Sequence, residues 1–294
     1  MSTSTSTIHD IGYRHYEGRR NGRAYVLRSL YVHNLRAAFG LGRPVRAKIM
    51  PFLLAGIMML PAAGSVAVFA VTDEADTLIP YAAYANVMQV IVAIFLATQA
   101  PVLASREVRF HVIPLYFSRP VGHLDFVLAK SAALVTALFA LMAAPVTLLY
   151  VGGLVAKAPD PGRQLLEYLG GLVGCLLFAL VLAAIGMVVA AFTPRRGFGV
   201  AAVIAVYMIS TTFVGIVQGI AEVRTNFALQ GWIGLAAPFN LVDIVQVRLL
   251  GAESSSAGIA PGVTGGVVAL AVCAAIVIGS VAVLYRRFRK AGLS

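Results

Sequence analysis

Charged residues are scarce in this chain of 294 residues: they make up 12% of it, against about a quarter in a typical soluble domain. Hydrophobic residues make up 60%, and the mean hydropathy is +0.87. This composition excludes an ordinary soluble domain. It predicts an integral membrane protein.

Several kinds of functional residue are also missing. The only cysteines, Cys175 and Cys273, lie inside apolar stretches, so no disulfide framework or paired metal-ligand spacing can be formed. The five histidines show no HxxxH or similar spacing, and we expect no metal site. No Gly-Lys dipeptide, HExxH or GxSxG motif occurs, which excludes a phosphate-binding P-loop, a zincin helix and a nucleophile elbow. We therefore predict that the chain is not itself an enzyme and binds no cofactor of its own.

Six stretches free of Asp, Glu, Lys and Arg are each long enough to cross the roughly 30 Å hydrocarbon layer, which takes a helix of about 20 residues. The prediction is an all-α membrane protein with an N-terminal segment over 1–47, a transmembrane domain over 48–290 and a basic tail over 286–294. A shorter, more polar charge-free stretch over 225–242 predicts a re-entrant or interfacial segment within 222–262. The six predicted spans are residues 49–72, 78–104, 131–154, 168–192, 198–221 and 264–285.

The basic residues test this topology. Nineteen of the 23 Lys and Arg fall on the side that holds both termini, whereas eight of the 12 acidic residues fall on the other side. Positive residues accumulate in cytoplasmic segments, so we expect both termini in the cytoplasm. The polar first 23 residues have no apolar core, and we expect no cleavable signal. The net charge of +11 is explained by topology, and we expect no nucleic-acid partner.

A cytoplasmic amphipathic helix is predicted over residues 23–39. Such a basic amphipathic helix lies along the lipid headgroups, so we expect it to contact membrane lipid. The alternative is a simple anchor with no moving part. On a helical projection the apolar arc holds Leu27, Leu30, Tyr31, Leu35 and Ala38, the opposite side holds Ser29, His33 and Arg36, and Asn34 interrupts the pattern.

The connection between the second and third predicted spans, residues 105–126, carries unusually many charges for this chain. Pro114 and Pro120 divide it, because the residue before a proline is driven away from helical angles. A short helix is predicted around 103–113. Such a rigid, charged element suits docking in a groove of a soluble partner, and a solvated loop without a partner is the alternative. The side chains of Arg106, Glu107 and Arg109 are expected to project from the short helix, and Asp125 and Lys130 flank the third span.

The architecture resembles the ABC type 2 permease family, in which a charged connection after the second span carries an Arg-Glu pair, then Ser-Arg-Pro-Val, then an apolar segment that ends in Lys. Here these are Arg106-Glu107, residues 118–121 and residues 125–130. The resemblance implies that 105–126 is the coupling segment that seats on a separate ATPase subunit, which binds ATP and Mg, and that two permease copies complete an exporter of the bacterial plasma membrane. The implied coupling residues are Arg106, Glu107, Arg109, Arg119, Pro120 and Asp125.

None of the six predicted spans contains an Asp, Glu, Lys or Arg, so we expect another molecule to supply the energy for transport. A path without fixed charge suits a hydrophobic or amphipathic cargo, such as a drug, a lipid or a secreted metabolite. The alternatives are an ion-gradient-driven secondary carrier or channel, and a membrane assembly subunit that transports nothing. Polar residues within spans are candidates for the substrate path, with hydrogen bonding between helices as the alternative role. They are Asn86, Gln89 and Gln99 in the second span and Tyr207, Thr211 and Gln218 on one face of the fifth.

Overall fold

The computed structural model describes residues 18, 22–72, 79–110, 113, 116, 121–156, 160–193, 195–252 and 262–292, and most of these residues are helical. No β-strand occurs among these residues. A 3₁₀ turn, Gly234–Ala236, lies between the helices Phe227–Ile233 and Pro238–Leu249. In chain order the helices are α1 (Arg23–Ala38), α2 (Arg46–Thr72), α3 (Tyr84–Val87), α4 (Gln89–Arg109), α5 (His123–Val155), α6 (Pro161–Phe192), α7 (Arg196–Val223), α8 (Phe227–Ile233), α9 (Pro238–Leu249) and α10 (Val263–Gly292).

Among the described residues, five helices are long and apolar enough to cross a membrane: α2, α5, α6, α7 and α10. Each has between 27 and 33 residues, more than the 20 or so that a bilayer requires. The number rises to six if the bent pair α8 and α9 counts as one span. The prediction of an all-helical, multi-pass membrane protein is confirmed at this level.

The predicted second span, 78–104, is wrong at its start. The chain turns at residues 81–83, forms the single helical turn α3, and begins α4 only at Gln89. The Tyr84 side chain is fully buried, and its hydroxyl donates a hydrogen bond to the Met58 carbonyl of α2. A break in the helix at this depth is tolerated because it is buried in protein, where its polar groups find partners. The apolar part of α4, Gln89–Ser105, is shorter than the other five apolar helices.

Helices also extend beyond the other predicted spans. α5 begins at His123 and α6 at Pro161, each several residues ahead of its apolar stretch. α10 continues to Gly292, so most of the predicted basic tail forms the end of that helix. Likewise, residues 105–109 of the predicted coupling segment are the end of α4. Hydropathy identifies the apolar part of a helix, whereas the backbone continues into its polar ends.

α5 and α6 form the centre of the bundle, with about half of their apolar length buried inside the protein. α2, α7 and α10 are much less buried, although their sequences are as apolar. Exposed apolar helices of this kind are suited to a surrounding of lipid. Close approach between helices occurs at glycine: a Cβ on Gly152 of α5 would lie 2.4 Å from the Val66 side chain of α2.

α8 and α9 meet at an angle of 119°. α9 contacts α6 at Gly174, where a Cβ would collide with the Gln246 side chain, and α10 at Gly266, beside the Cβ of Arg248. Gly266 lies near the start of α10, whereas Gly174 lies near the middle of α6. The pair connects α7 to α10, and the re-entrant or interfacial character predicted within 222–262 stays a prediction.

A helix is present over the predicted range 23–39 as α1, which ends at Ala38. The apolar residues are buried or half-buried, and Ser29, His33 and Arg36 are exposed. The apolar face packs mainly on α5, where the Tyr31 hydroxyl donates to Thr136 Oγ1 at 3.0 Å. The interrupting residue, Asn34, is buried and donates from its side-chain amide to the Leu30 carbonyl at 2.8 Å. The placement of α1 along lipid headgroups stays a prediction.

Gly40 makes the turn from α1 to α2 possible. Its φ is +66°, and a Cβ there would lie 2.3 Å from the Ala47 carbonyl oxygen. Gly42 also has a positive φ, +79°, but open space surrounds it. We expect Gly40→Ala to lower the thermal unfolding midpoint of the detergent-solubilised protein far more than Gly42→Ala. The second variant carries only the dihedral cost of about 1–2 kcal/mol, so equal midpoints would contradict the close approach.

Candidate functional site

Helix ends from distant parts of the sequence meet at one end of the bundle, here termed the basic end. It comprises α1, the last turn of α4, the first turns of α5 and the last turns of α10. The ring of Phe126 in α5 packs edge-on against that of Phe288 in α10 at 5.3 Å, and Arg287 Nε donates to the Ala191 carbonyl near the end of α6. The first and last helices thus reach the same end of the bundle.

Lys130 is the central polar group of the basic end. Its side chain is fully buried, and its ammonium group is paired with the carboxylate of Glu107 in the last turn of α4. The ammonium also donates to the Leu103 carbonyl, one turn earlier in α4. It lies 4.7 Å from the centre of the Phe126 ring and 5.9 Å from that of Phe288, within the range of cation–π attraction. Lys130 therefore joins α4, α5 and α10.

A second ion pair links α1 to the start of α5. Arg23 donates from Nε and Nη2 to the two carboxylate oxygens of Asp125, each at 2.6 Å. The Asp125 side chain is 7% exposed and that of Arg23 is 73% exposed. The carboxylate raises the pKa of the Arg23 guanidinium, mainly through these hydrogen bonds and then through its charge. These two parallel hydrogen bonds fix the orientation of the guanidinium relative to the carboxylate as well as the distance between the two groups.

The structure places the predicted coupling residues in different environments. Glu107 was expected to project from the protein, but its side chain is only 13% exposed and faces Lys130. Asp125 is buried against α1. Arg106 and Arg109 lie in the last turns of α4, but their side chains are outside the described residues, as are Arg119 and Pro120 entirely. Contact with an ATPase subunit stays a prediction for all six.

Sequence reasoning missed the burial of Lys130. The third predicted span was placed one residue after it, because a charge was taken to mark the edge of the membrane. A helical projection carries the missed signal: Lys130 lies on the same stripe of α5 as Phe126, Ala133, Leu134 and Ala137, all of which are buried. Arg23 was missed for a different reason, since it lies 102 residues from its partner.

The candidate substrate-path residues do not form one site. In the second predicted span, Asn86 is buried in α3, Gln89 is half-buried at the start of α4, and Gln99 is buried and donates to Thr98 Oγ1. In α7 the Thr211 hydroxyl donates to the Tyr207 carbonyl of its own helix, and Gln218 Nε2 donates to the Gln230 carbonyl of α8 at 3.3 Å. These bonds favour the structural role for Gln99, Thr211 and Gln218.

Tyr207 differs from the other candidates because it lines a crevice. The cavity has a volume of about 20 Å³ and lies where α4, α6, α7 and α9 meet. Its walls are aliphatic side chains, Pro238 and the rings of Tyr207 and Phe239, which contact each other edge-on at 5.4 Å. A cavity of this size holds one water molecule or a methyl group at most. It can accept an apolar cargo only if these helices move apart.

Buried polar groups also occur away from the basic end. α9 buries Asp243 and Gln246, which sequence reasoning did not select. Gln246 fills the space left by Gly174, and its amide donates to the Ala82 carbonyl ahead of α3 at 3.4 Å. α9 thus holds the irregular stretch before α4 in place.

The Glu107–Lys130 pair gives a direct test of this geometry. We expect Glu107→Gln to lower the free energy of unfolding by about 3–5 kcal/mol, because it leaves a buried ammonium without its counter-charge. Glu167→Gln is the matched control: Glu167 is 49% exposed and pairs with Arg163 on the surface of α6. Loss of such an exposed pair costs about 0.3–0.5 kcal/mol. Chemical unfolding in detergent measures both, and similar losses would contradict the buried pair.

No protein-family model matches this chain, and no curated protein matches it. A function must therefore be argued from the fold, from the distribution of charge and from the contacts at the basic end. Membership of the ABC type 2 permease family stays a prediction that depends on Arg106-Glu107 and on residues 118–130.

Proposed function

We propose that this protein is the membrane-spanning permease subunit of an ATP-driven exporter. A separate subunit binds ATP and Mg and hydrolyses the nucleotide, and a second permease copy completes the complex in a bacterial plasma membrane. The cargo is hydrophobic or amphipathic. The permease contributes the path through the lipid and the surface that receives the movement of the ATPase.

One observation carries this proposal: the connection between α4 and α5 is held to the bundle at both of its ends. Glu107, where the chain leaves α4, is paired with buried Lys130, and Asp125, where the chain enters α5, is paired with Arg23. A loop that only needs to be solvated requires no such attachment. An element that transmits force requires it, because movement applied to a loose loop would be lost in bending.

The attachment also indicates where the movement would go. α4 packs along α6 and α7, and α5 packs along α6 and α1. Displacement of the connection by an ATPase subunit would therefore act on the central helices. We describe transport as a two-state equilibrium, in which the nucleotide-bound partner favours one arrangement of these helices.

The apolar crevice beside Tyr207 supports a cargo without fixed charge. All of its lining side chains other than Tyr207 are hydrocarbon, and it lies at the junction between α4 and α7. Separation of these two helices would open an apolar path lined by Tyr207 and Phe239. A charged cargo would lose its hydration there without gaining a partner, which is strongly unfavourable.

A second candidate function is favoured by the buried charges. Lys130 and Asp243 are both at least 95% buried, and ionisable groups within a membrane protein often serve ion coupling. A carrier driven by an ion gradient would use such groups. Lys130 is already paired with Glu107, however, which does not suit a group that must bind a passing ion.

Purification from the native membrane tests the main proposal. We expect the tagged protein to co-elute with a P-loop ATPase, and we expect reconstituted complex, but not the permease alone, to move a lipophilic dye such as rhodamine 6G against its gradient in the presence of ATP. The control is the complex with the Walker lysine of the ATPase changed to alanine. Uphill transport by the purified chain with only an ion gradient would instead support the carrier.

Tyr207 and Thr211 test the proposed path. They lie one turn apart on α7, but only Tyr207 lines the crevice. We expect Tyr207→Ala to reduce the dye-stimulated ATPase activity of the complex by up to about tenfold, as expected for loss of aromatic contacts of about 1.5 kcal/mol. Thr211→Val, which removes a hydroxyl bonded to its own helix, serves as the matched control with little change. Equal effects of the two variants would exclude this path.

A further inference from the structure

The ammonium group of Lys130 finds its interaction partners on two other helices. The carboxylate of Glu107 and the Leu103 carbonyl both belong to the end of α4, and the ring of Phe288 belongs to the end of α10. Lys130 itself lies in α5, directly above Phe126 on the same face. The contacts of one side chain therefore determine how three helix ends lie relative to one another.

The burial of Lys130 makes this arrangement difficult to open. Its side chain has no exposed surface, so in this arrangement the ammonium group depends on protein atoms for its partners. A buried charge left without its partner is strongly unfavourable. Relative movement of α4 and α5 at this level would leave the ammonium in that state. Movement of the two ends together retains every contact.

We propose that Lys130 is a positioning residue that fixes the end of α4 to α5 and α10, so that these three ends move as one rigid unit. The unit comprises Leu103 and Glu107 of α4, Phe126 and Lys130 of α5, and Phe288 of α10. The claim that the three helix ends move together does not depend on a transport function. Its consequence for energy coupling rests on the proposed function, because Glu107 lies where the proposed coupling segment leaves α4.

Distance measurements on the full chain in lipid nanodiscs test whether the helix ends move together. Spin labels are attached at Phe110→Cys and Leu128→Cys, two exposed positions at the end of α4 and in α5, with Cys175 and Cys273 replaced by alanine. Electron paramagnetic resonance then gives the distribution of distances between the labels. A second label pair at Tyr25→Cys and Leu128→Cys reports on α1 and α5, which are joined by Arg23 and Asp125 instead.

Two variants distinguish positioning from simple filling of space. Lys130→Met with Glu107→Leu replaces the ion pair by apolar side chains of similar volume, a change that often preserves stability. Glu107→Asp keeps the carboxylate and shortens its side chain by one carbon. We expect the 110–128 distribution to be narrow in the parent and in Glu107→Asp, and at least twofold broader in the apolar double variant. The 25–128 distribution should be unchanged throughout.

Several results would overturn the inference. A narrow 110–128 distribution in the apolar double variant would show that packing alone positions α4, and an equally broad one in Glu107→Asp would show that the carboxylate is not what holds it. If the double variant does not fold, Lys130→Met alone replaces it, since Glu107 lies near the surface and can turn to water. A narrow distribution in Lys130→Met would also refute the inference.

The ATPase of the complex separates this inference from the proposed function. If both hold, the apolar double variant keeps the parent's thermal unfolding midpoint, but its dye-stimulated ATPase activity falls about tenfold. Glu107→Asp retains most of that activity. If no ATPase co-purifies with the chain, the proposed function fails, and the label distances still decide the role of Lys130. An ATPase that is stimulated equally by all variants would refute the coupling consequence alone.

Discussion

An ammonium group inside a helical bundle requires a counter-charge and hydrogen-bond acceptors, because its removal from water is among the most unfavourable events in folding. Lys130 finds its partners on helices distant from its own position in the sequence. The end of α4 must lie close enough to supply Glu107 and the Leu103 carbonyl, and α10 must bring Phe288 to the same point. The geometry of the basic end follows largely from this single requirement.

Away from Lys130, the arrangement of the helices reflects the lipid that is expected to surround them. Among the five long apolar helices described, α7 is the least buried, yet it is as apolar as the central helix α5, so hydrophobicity does not distinguish inside from outside. Packing is determined instead by shape, as where Gly186 of α6 admits the Leu96 side chain of α4. For this reason, charge-free stretches predicted the long helices well but could not predict which of them form the centre.

The errors in the sequence-based predictions arise for the same reason, namely that packing between helices cannot be read from hydropathy. Residues 78–88 are as apolar as a span, yet they contain a turn and a broken helix whose tyrosines are buried against α2 and α6. The charged connection after the second apolar stretch was predicted, but the direction of its side chains was not. Glu107 faces inward only because Lys130 lies opposite, and this pairing across 23 residues depends on how α4 crosses α5.

The two ion pairs that hold the connection between α4 and α5 differ in their exposure to water. Arg23 is 73% exposed, so water and salt can replace Asp125 as the partner of the guanidinium, whereas the Asp125 carboxylate is only 7% exposed. Lys130 has no such substitute. Salt therefore weakens the Arg23–Asp125 pair from the side of Arg23, while the Glu107–Lys130 pair is shielded from it. A movement of the connection would therefore reach α4 and α5 together through the shielded pair, and would reach α1 through both its ion pair and its packing on α5.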